Sequence, residues 1–150
     1  MPLSGKNKNV QLKIESRTEK LHLVREFISE AARKYGFDEE AVGKIALAVD
    51  EACTNVIKHA YNYAPDKELQ VSIQKSGTNL EVVITHNGKS FDPEAIKPPN
   101  MPDYLRHFRH GGLGMHLMRS LMDKVEYKSA SGKKNEVHLL IQVPAGSSSS

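Results

Sequence analysis

The apolar residues of this chain change their spacing twice, and that pattern limits the possible folds more than any single motif. Val10, Leu12 and Ile14 alternate with polar residues, as in a half-buried strand. Ser16 and Glu19 then have the spacing of a capping box, and Leu21, Val24, Ile28, Ala31 and Tyr35 recur at helical spacing until Gly36. Asp38 is a good N-cap for a second helix, whose core-facing stripe is Val42, Ile45, Val49, Ala52, Val56 and Ala60; Tyr61 to Pro65 ends it. From Leu69 the period falls back to two. Leu69/Val71/Ile73 and Leu80/Val82/Ile84, joined through Lys75 to Asn79, read as a hairpin. A helical run from Met115 to Met122 and two further strands, around Val125/Tyr127 and Val137/Leu139/Ile141/Val143, complete the chain. Helices grouped between hairpin strands, instead of alternating with them singly, predict an α+β two-layer sandwich. Its sheet is expected to be mixed but mostly antiparallel, with the helices on one face.

A chain of 150 residues is long enough for one domain that buries roughly 68–70% of its unfolded surface. With 39% apolar and 26% charged residues it is not a disordered chain. Residues 1–9 are expected to be a flexible N-terminus, 10–144 the domain, and 145–150 a disordered Ser-rich tail. Residues 92–110 hold four prolines and no period, so they read as a long loop of the kind that carries function or forms a lid. The net charge of +3 is spread among acidic residues, which argues against nucleic acid as a direct partner. No apolar stretch approaches the roughly 20 residues of a spanning helix and no signal-peptide core opens the chain, so no membrane is expected and the cytoplasm is the default location. The single Cys53 cannot form an internal disulfide, which suits a reducing compartment.

Two constellations carry possible chemistry. Glu51 and Asn55 are four residues apart on the second helix and so share a face. A carboxylate beside a carboxamide suits Mg²⁺, which takes one or two protein oxygens and fills its shell with phosphate and water, and the carboxylate suits proton abstraction. Such a pair alone is most often solvated, but Val49, Ala52 and Val56 flank this one and point to the edge of a cavity. The second constellation is Gly111, Gly112, Leu113 and Gly114, leading into a helix. Glycines there let backbone N–H groups approach an anion at a helix N-terminus, and Arg109 adds a cation for a phosphate. The plain alternative is a flexible hinge. No G-K-[ST] follows, so this is not a Walker loop, and no βαβ unit frames a dinucleotide fingerprint. The seven histidines show no zinc spacing, and no G-x-S-x-G elbow occurs.

In combination, E-x-x-x-N on a helix, N-G-K-x-F-D-P after a strand and G-G-L-G-M before another helix resemble the Bergerat-fold ATPases shared by gyrase and histidine kinases. "LAVDEACTNVIKHAY" and "GGLGMHLMRSLMDKVEY" are similar to the bacterial anti-sigma factor serine kinases, over roughly residues 10 to 143. The resemblance implies an ATP- and Mg²⁺-binding domain that phosphorylates a serine of an anti-sigma factor antagonist, sequesters a sigma factor and works as a homodimer. It implies Glu51 as general base, Asn55 as Mg²⁺ ligand and Gly88 as the glycine against adenine. Gly112 and Gly114 would be phosphate-binding glycines. The chain departs from the family's D-x-G-x-G at the adenine loop, where it has His86-Asn87-Gly88-Lys89-Ser90. Two readings follow: an active serine kinase and anti-sigma factor, or a kinase-like binding module that regulates by sequestration without turnover.

Overall fold

The computed structural model describes residues 10–87, 121–129 and 134–144. Within them five strands form one sheet: β1 (Val10–Glu15), β2 (Glu68–Ser76), β3 (Asn79–His86), β4 (Lys124–Ser129) and β5 (Asn135–Gln142), in the order β1-β2-β3-β5-β4. Every described pairing is antiparallel. Two helices, α1 (Leu21–Lys34) and α2 (Glu39–Asn55), pack against each other and against the sheet, giving the expected α+β sandwich.

The register follows the hydrophobic alternation. Val71 lies opposite Ile84 and Leu12, and Ile84 opposite Val137, while Ile73, Val82 and Leu139 form the next row. All of these but Leu12 are buried, and they meet Val24 and Ile28 of α1 and Ile45, Val49 and Ala52 of α2 in one core. Each large aliphatic side chain removed from water there contributes about 1.5–3 kcal/mol. On the opposite face of β3 and β5 lies a polar cluster. His138 places Nδ1 2.8 Å from Glu81 and Nε2 2.7 Å from Glu136, and Gln74 Nε2 donates to Glu81 at 2.9 Å. Burial alone pushes the Glu81 carboxyl up, but the hydrogen bonds from His138 and Gln74 outweigh it and leave the group below its ordinary value.

Local signals differ in how they fare. Asp38 caps α2 as expected, accepting from the Ala41 N–H at 2.8 Å, and all six residues of the predicted stripe are buried. The hairpin turn is tighter than the sequence suggests: Ser76 pairs with Asn79, so only Gly77 and Thr78 turn, with Gly77 at φ 64. A left-handed first turn residue followed by an ordinary one matches the glycine preference of a type II′ hairpin. Ser16 and Glu19 form no capping box. Lys20 precedes α1 without a side-chain cap, and a 3₁₀ turn (Thr18–Lys20) intervenes. The Ser16 hydroxyl instead donates to the Ala64 carbonyl and accepts from the Lys67 N–H, bonds across the fold that a local pattern does not reveal. The expected flexible N-terminus, the lid, most of the 115–122 helix and the tail lie outside the described residues.

Candidate functional site

The stripe that buries α2 also sets the direction of Glu51 and Asn55. With Val49, Ala52, Cys53 and Val56 all at 1% exposure or less, the helix cannot rotate, and the two polar side chains emerge at the margin of the core. Asn55 is buried and Glu51 partly so. Glu51 Oε1 is buried and has no hydrogen-bond partner among the described residues. Leaving such an acceptor unmatched costs about 1–3 kcal/mol, so its presence calls for a reason. Burial raises the Glu51 carboxyl above its ordinary value, the neighbouring Asp50 charge adds to the rise, and the Lys58 ammonium opposes it. Asp50 itself is engaged by Arg25 of α1 at 2.9 Å, which ties the two helices together beside Glu51. Cys53 is fully buried, and burial followed by the charge of Asp50 pushes its thiol up, so it is a packing residue.

Beyond Asn55 the helix widens into a π turn, Val56–Ala60, in which the Tyr61 N–H reaches back five residues to the Val56 carbonyl at 3.0 Å. Single π turns inside helices occur often at functional sites. Two consecutive left-handed residues follow, Asn62 at φ 52 and Tyr63 at φ 66, and the Tyr63 N–H bonds the Ile57 carbonyl at 2.8 Å. The turn delivers the Tyr61 phenol to the end of the sheet. Its hydroxyl donates to the Glu68 carbonyl at 2.6 Å and accepts from the Asn87 N–H at 2.9 Å.

His86 ends β3, the central strand, paired with Leu69 on one side and Asn135 on the other. It follows Val82 and Ile84 on the core-facing side and is 3% exposed. The Tyr61 ring meets it edge-on, centroids 5.9 Å apart at 79°. Burial pushes the His86 imidazole from 6.5 down to about 4, so the ring is neutral at physiological pH. The chain therefore leaves the middle of the sheet at Asn87 with a neutral imidazole and a phenol beneath it. An open cavity of about 490 Å³ adjoins this point, lined by Ala60, Tyr61, Asp66, Lys67, Glu68 and Asn87; neither Glu51 nor Asn55 lines it.

Of the residues singled out in the sequence, Glu51 and Asn55 lie one helical turn apart at the margin of the core, and His86 stands at the end of β3. Gly88, Ser90, Arg109, Gly111, Gly112, Leu113 and Gly114 lie outside the described residues. Lys58 and Tyr61 were not identified from the sequence. Lys58 follows Glu51 by seven residues, a helical spacing that signals their proximity. The partners of Tyr61 are backbone groups, which leave no trace in side-chain patterns.

Residues 14–141 match the family described as histidine kinase-like ATPase domain. Among curated relatives, a serine-protein kinase RsbW of Halalkalibacterium halodurans is 32% identical over 127 residues, covering 82% of this chain and 77% of the relative. The serine-protein kinase RsbW of Listeria monocytogenes is 36% identical over 121 residues, covering 78% and 77%. Among solved structures, the RsbU and RsbW domains of Rv1364c from Mycobacterium tuberculosis superpose with a TM-score of 0.63 at 14% identity. That match covers 91% of this chain and 32% of the longer one, and it speaks to the fold alone.

Proposed function

The chain belongs to the histidine kinase-like ATPase domain family, and from that premise we propose that it is an ATP-binding anti-sigma regulatory factor. It phosphorylates a serine of an anti-sigma factor antagonist, sequesters a sigma factor and works as a homodimer. The observation that carries the reading is Glu51: a partly buried carboxylate one helical turn from Asn55, with a buried oxygen that no described group satisfies and a proton affinity raised by burial. A general base works best with a pKa closer to the operating pH than that of a free carboxylate, and burial moves Glu51 that way.

In the transfer, Glu51 accepts the hydroxyl proton of the attacking serine as the serine oxygen bonds the γ-phosphorus. The bond from that phosphorus to the β,γ-bridging oxygen breaks, and ADP leaves. The Lys58 ammonium opposes the effect of burial and favours the carboxylate form of Glu51. Asn55 would hold Mg²⁺ through its carboxamide oxygen, and the ion when bound neutralises charge on the phosphates. One carboxamide beside one carboxylate fits a cation that keeps most of its shell for water and phosphate. Among the described residues no group of three or more His, Cys, Asp or Glu is arranged for a metal. Gly88 serves the approach of backbone to adenine, and Arg109, Gly111, Gly112, Leu113 and Gly114 serve the phosphates.

Incubated with Mg-ATP and the antagonist, the purified protein should transfer the γ-phosphate to serine. Glu51→Gln should cut that transfer by roughly 10²–10⁴-fold while Mg-ATP binding persists. Wild-type turnover in Glu51→Gln would remove Glu51 from the role of base. Partner binding without any transfer by the unaltered protein would favour sequestration alone.

A further inference from the structure

Tyr61 links the helix layer to the point where the chain leaves the central strand, and it does so with both hydrogen-bonding capacities of one phenol. The single hydroxyl proton goes to the Glu68 carbonyl at 2.6 Å, at the start of β2, and a lone pair receives the Asn87 N–H at 2.9 Å. Asn87 is the first residue past the β3 ladder, so its amide is the first backbone donor that no strand partner positions. The phenol that positions it is itself fixed. It is 7% exposed, the π turn and the left-handed pair Asn62 and Tyr63 set its backbone, and Ser16 clamps Ala64 and Lys67 from the far side. Burial, the largest influence, holds the phenol above its ordinary value against the Asn87 hydrogen bond, so the hydroxyl keeps the proton it donates.

Resting on the nucleotide reading above, we propose that Tyr61 is a positioning residue for base selectivity: by clamping the Asn87 amide it fixes the entry of the base-binding loop relative to Glu68 and His86. The clamp acts at the base end of the site. Glu51 and Asn55, on the helix roughly two to three turns earlier, serve the phosphate end, whereas both partners of the Tyr61 hydroxyl are backbone groups at the ends of β2 and β3. Losing the hydroxyl therefore changes which base is preferred more than it changes phosphate binding.

Tyr61→Phe tests this, since it keeps the ring against His86 and deletes only the hydroxyl. Competition against a fluorescent ATP analogue should give a Kd for Mg-ATP weakened about 5–10-fold, the size of one lost hydrogen bond in a buried setting. Tripolyphosphate should bind the variant as it binds the parent, and the preference for ATP over GTP should fall by a similar factor. Equal weakening of ATP, GTP and tripolyphosphate would mark a general structural defect and overturn the proposal, as would an unchanged ATP-to-GTP ratio. If the parent protein binds no ATP at all, the nucleotide reading itself fails and this inference falls with it, a result distinct from either of those. Amide exchange at Asn87 in the unaltered protein gives a check that needs no folded variant. Protection of about tenfold or more over an open loop is expected, and exchange at the unprotected rate would refute the clamp.

Discussion

Buried as a neutral ring against Tyr61, His86 makes the stability of this domain sensitive to acid. Its folded value of about 4 lies below the ordinary 6.5, so between those limits the unfolded chain binds a proton that the folded chain excludes. The contribution is fully present above pH 6.5 and is lost as pH falls toward 4, by an amount on the order of 3 kcal/mol. His86→Leu should flatten the urea-unfolding free energy across that interval; an unchanged acid limb would show that His86 is not the group responsible. Glu51 has the opposite sign. Its folded value is raised, so the folded chain binds the extra proton, and stability declines as pH rises from the ordinary carboxylate range through the folded value. Glu51→Gln should therefore raise the melting temperature near neutrality by a few degrees and lose that advantage in acid. At His86 itself, Asp is expected to tighten Mg-ATP about tenfold by offering an acceptor for the adenine amino group. The cost is a lower melting temperature without nucleotide, because the new carboxylate is buried where a neutral ring was. Weaker ATP binding in His86→Asp would place residue 86 outside the base pocket. At this scale the sequence revealed the residues whose meaning lies in spacing. It concealed Tyr61 and the role of Ser16, whose partners are main-chain atoms 7, 26, 48 and 51 residues away.

Among the elements, α2 was the most legible because cap, stripe and polar face all agree on one helix. Its Asp38 cap accepts one N–H, and Asp38→Ala should cost about 1 kcal/mol, a fall of roughly 2–4 °C in melting temperature. A change of less than half a degree would mean that packing alone fixes the start of α2. The hairpin of β2 and β3 was legible in its alternation, and its loop was read too long because Lys75, Ser76 and Asn79 are polar residues that nevertheless pair in the ladder. The start of α1 was misread for a physical reason. A serine near a helix start is a cap only if nothing else claims its hydroxyl, and here the turn after α2 claims it. Order in the sheet was not legible at all. Nothing local says that β5 inserts between β3 and β4, because strand order is decided by which faces and edges the whole chain can bury.

At the scale of the whole molecule, the sheet formed by the described residues has charged strands on both sides. Lys13 and Glu15 occupy one edge and Lys124, Glu126 and Lys128 the other, a distribution that discourages edge-to-edge pairing with further chains. Any homodimer is then expected to use a face instead of an edge. Ligand binding should register globally. Mg-ATP at 100 times its Kd should add about 2.7 kcal/mol, which for a domain of this size raises the melting temperature by several degrees. No shift at millimolar Mg-ATP would contradict the kinase reading. The π turn Val56–Ala60 adds a constraint of chain length to these energetic ones. A π turn amounts to one residue inserted into an α-helical ladder, and consecutive residues of an α-helix are about 100° apart around its axis. Deleting any one residue between 56 and 60 would restore the ordinary ladder and carry Tyr61 away from Asn87, while leaving Glu51 and Asn55 where they are. Length is thus a constraint of its own in this short stretch, distinct from composition: losing one position would part Tyr61 from Asn87 even if every remaining side chain were kept.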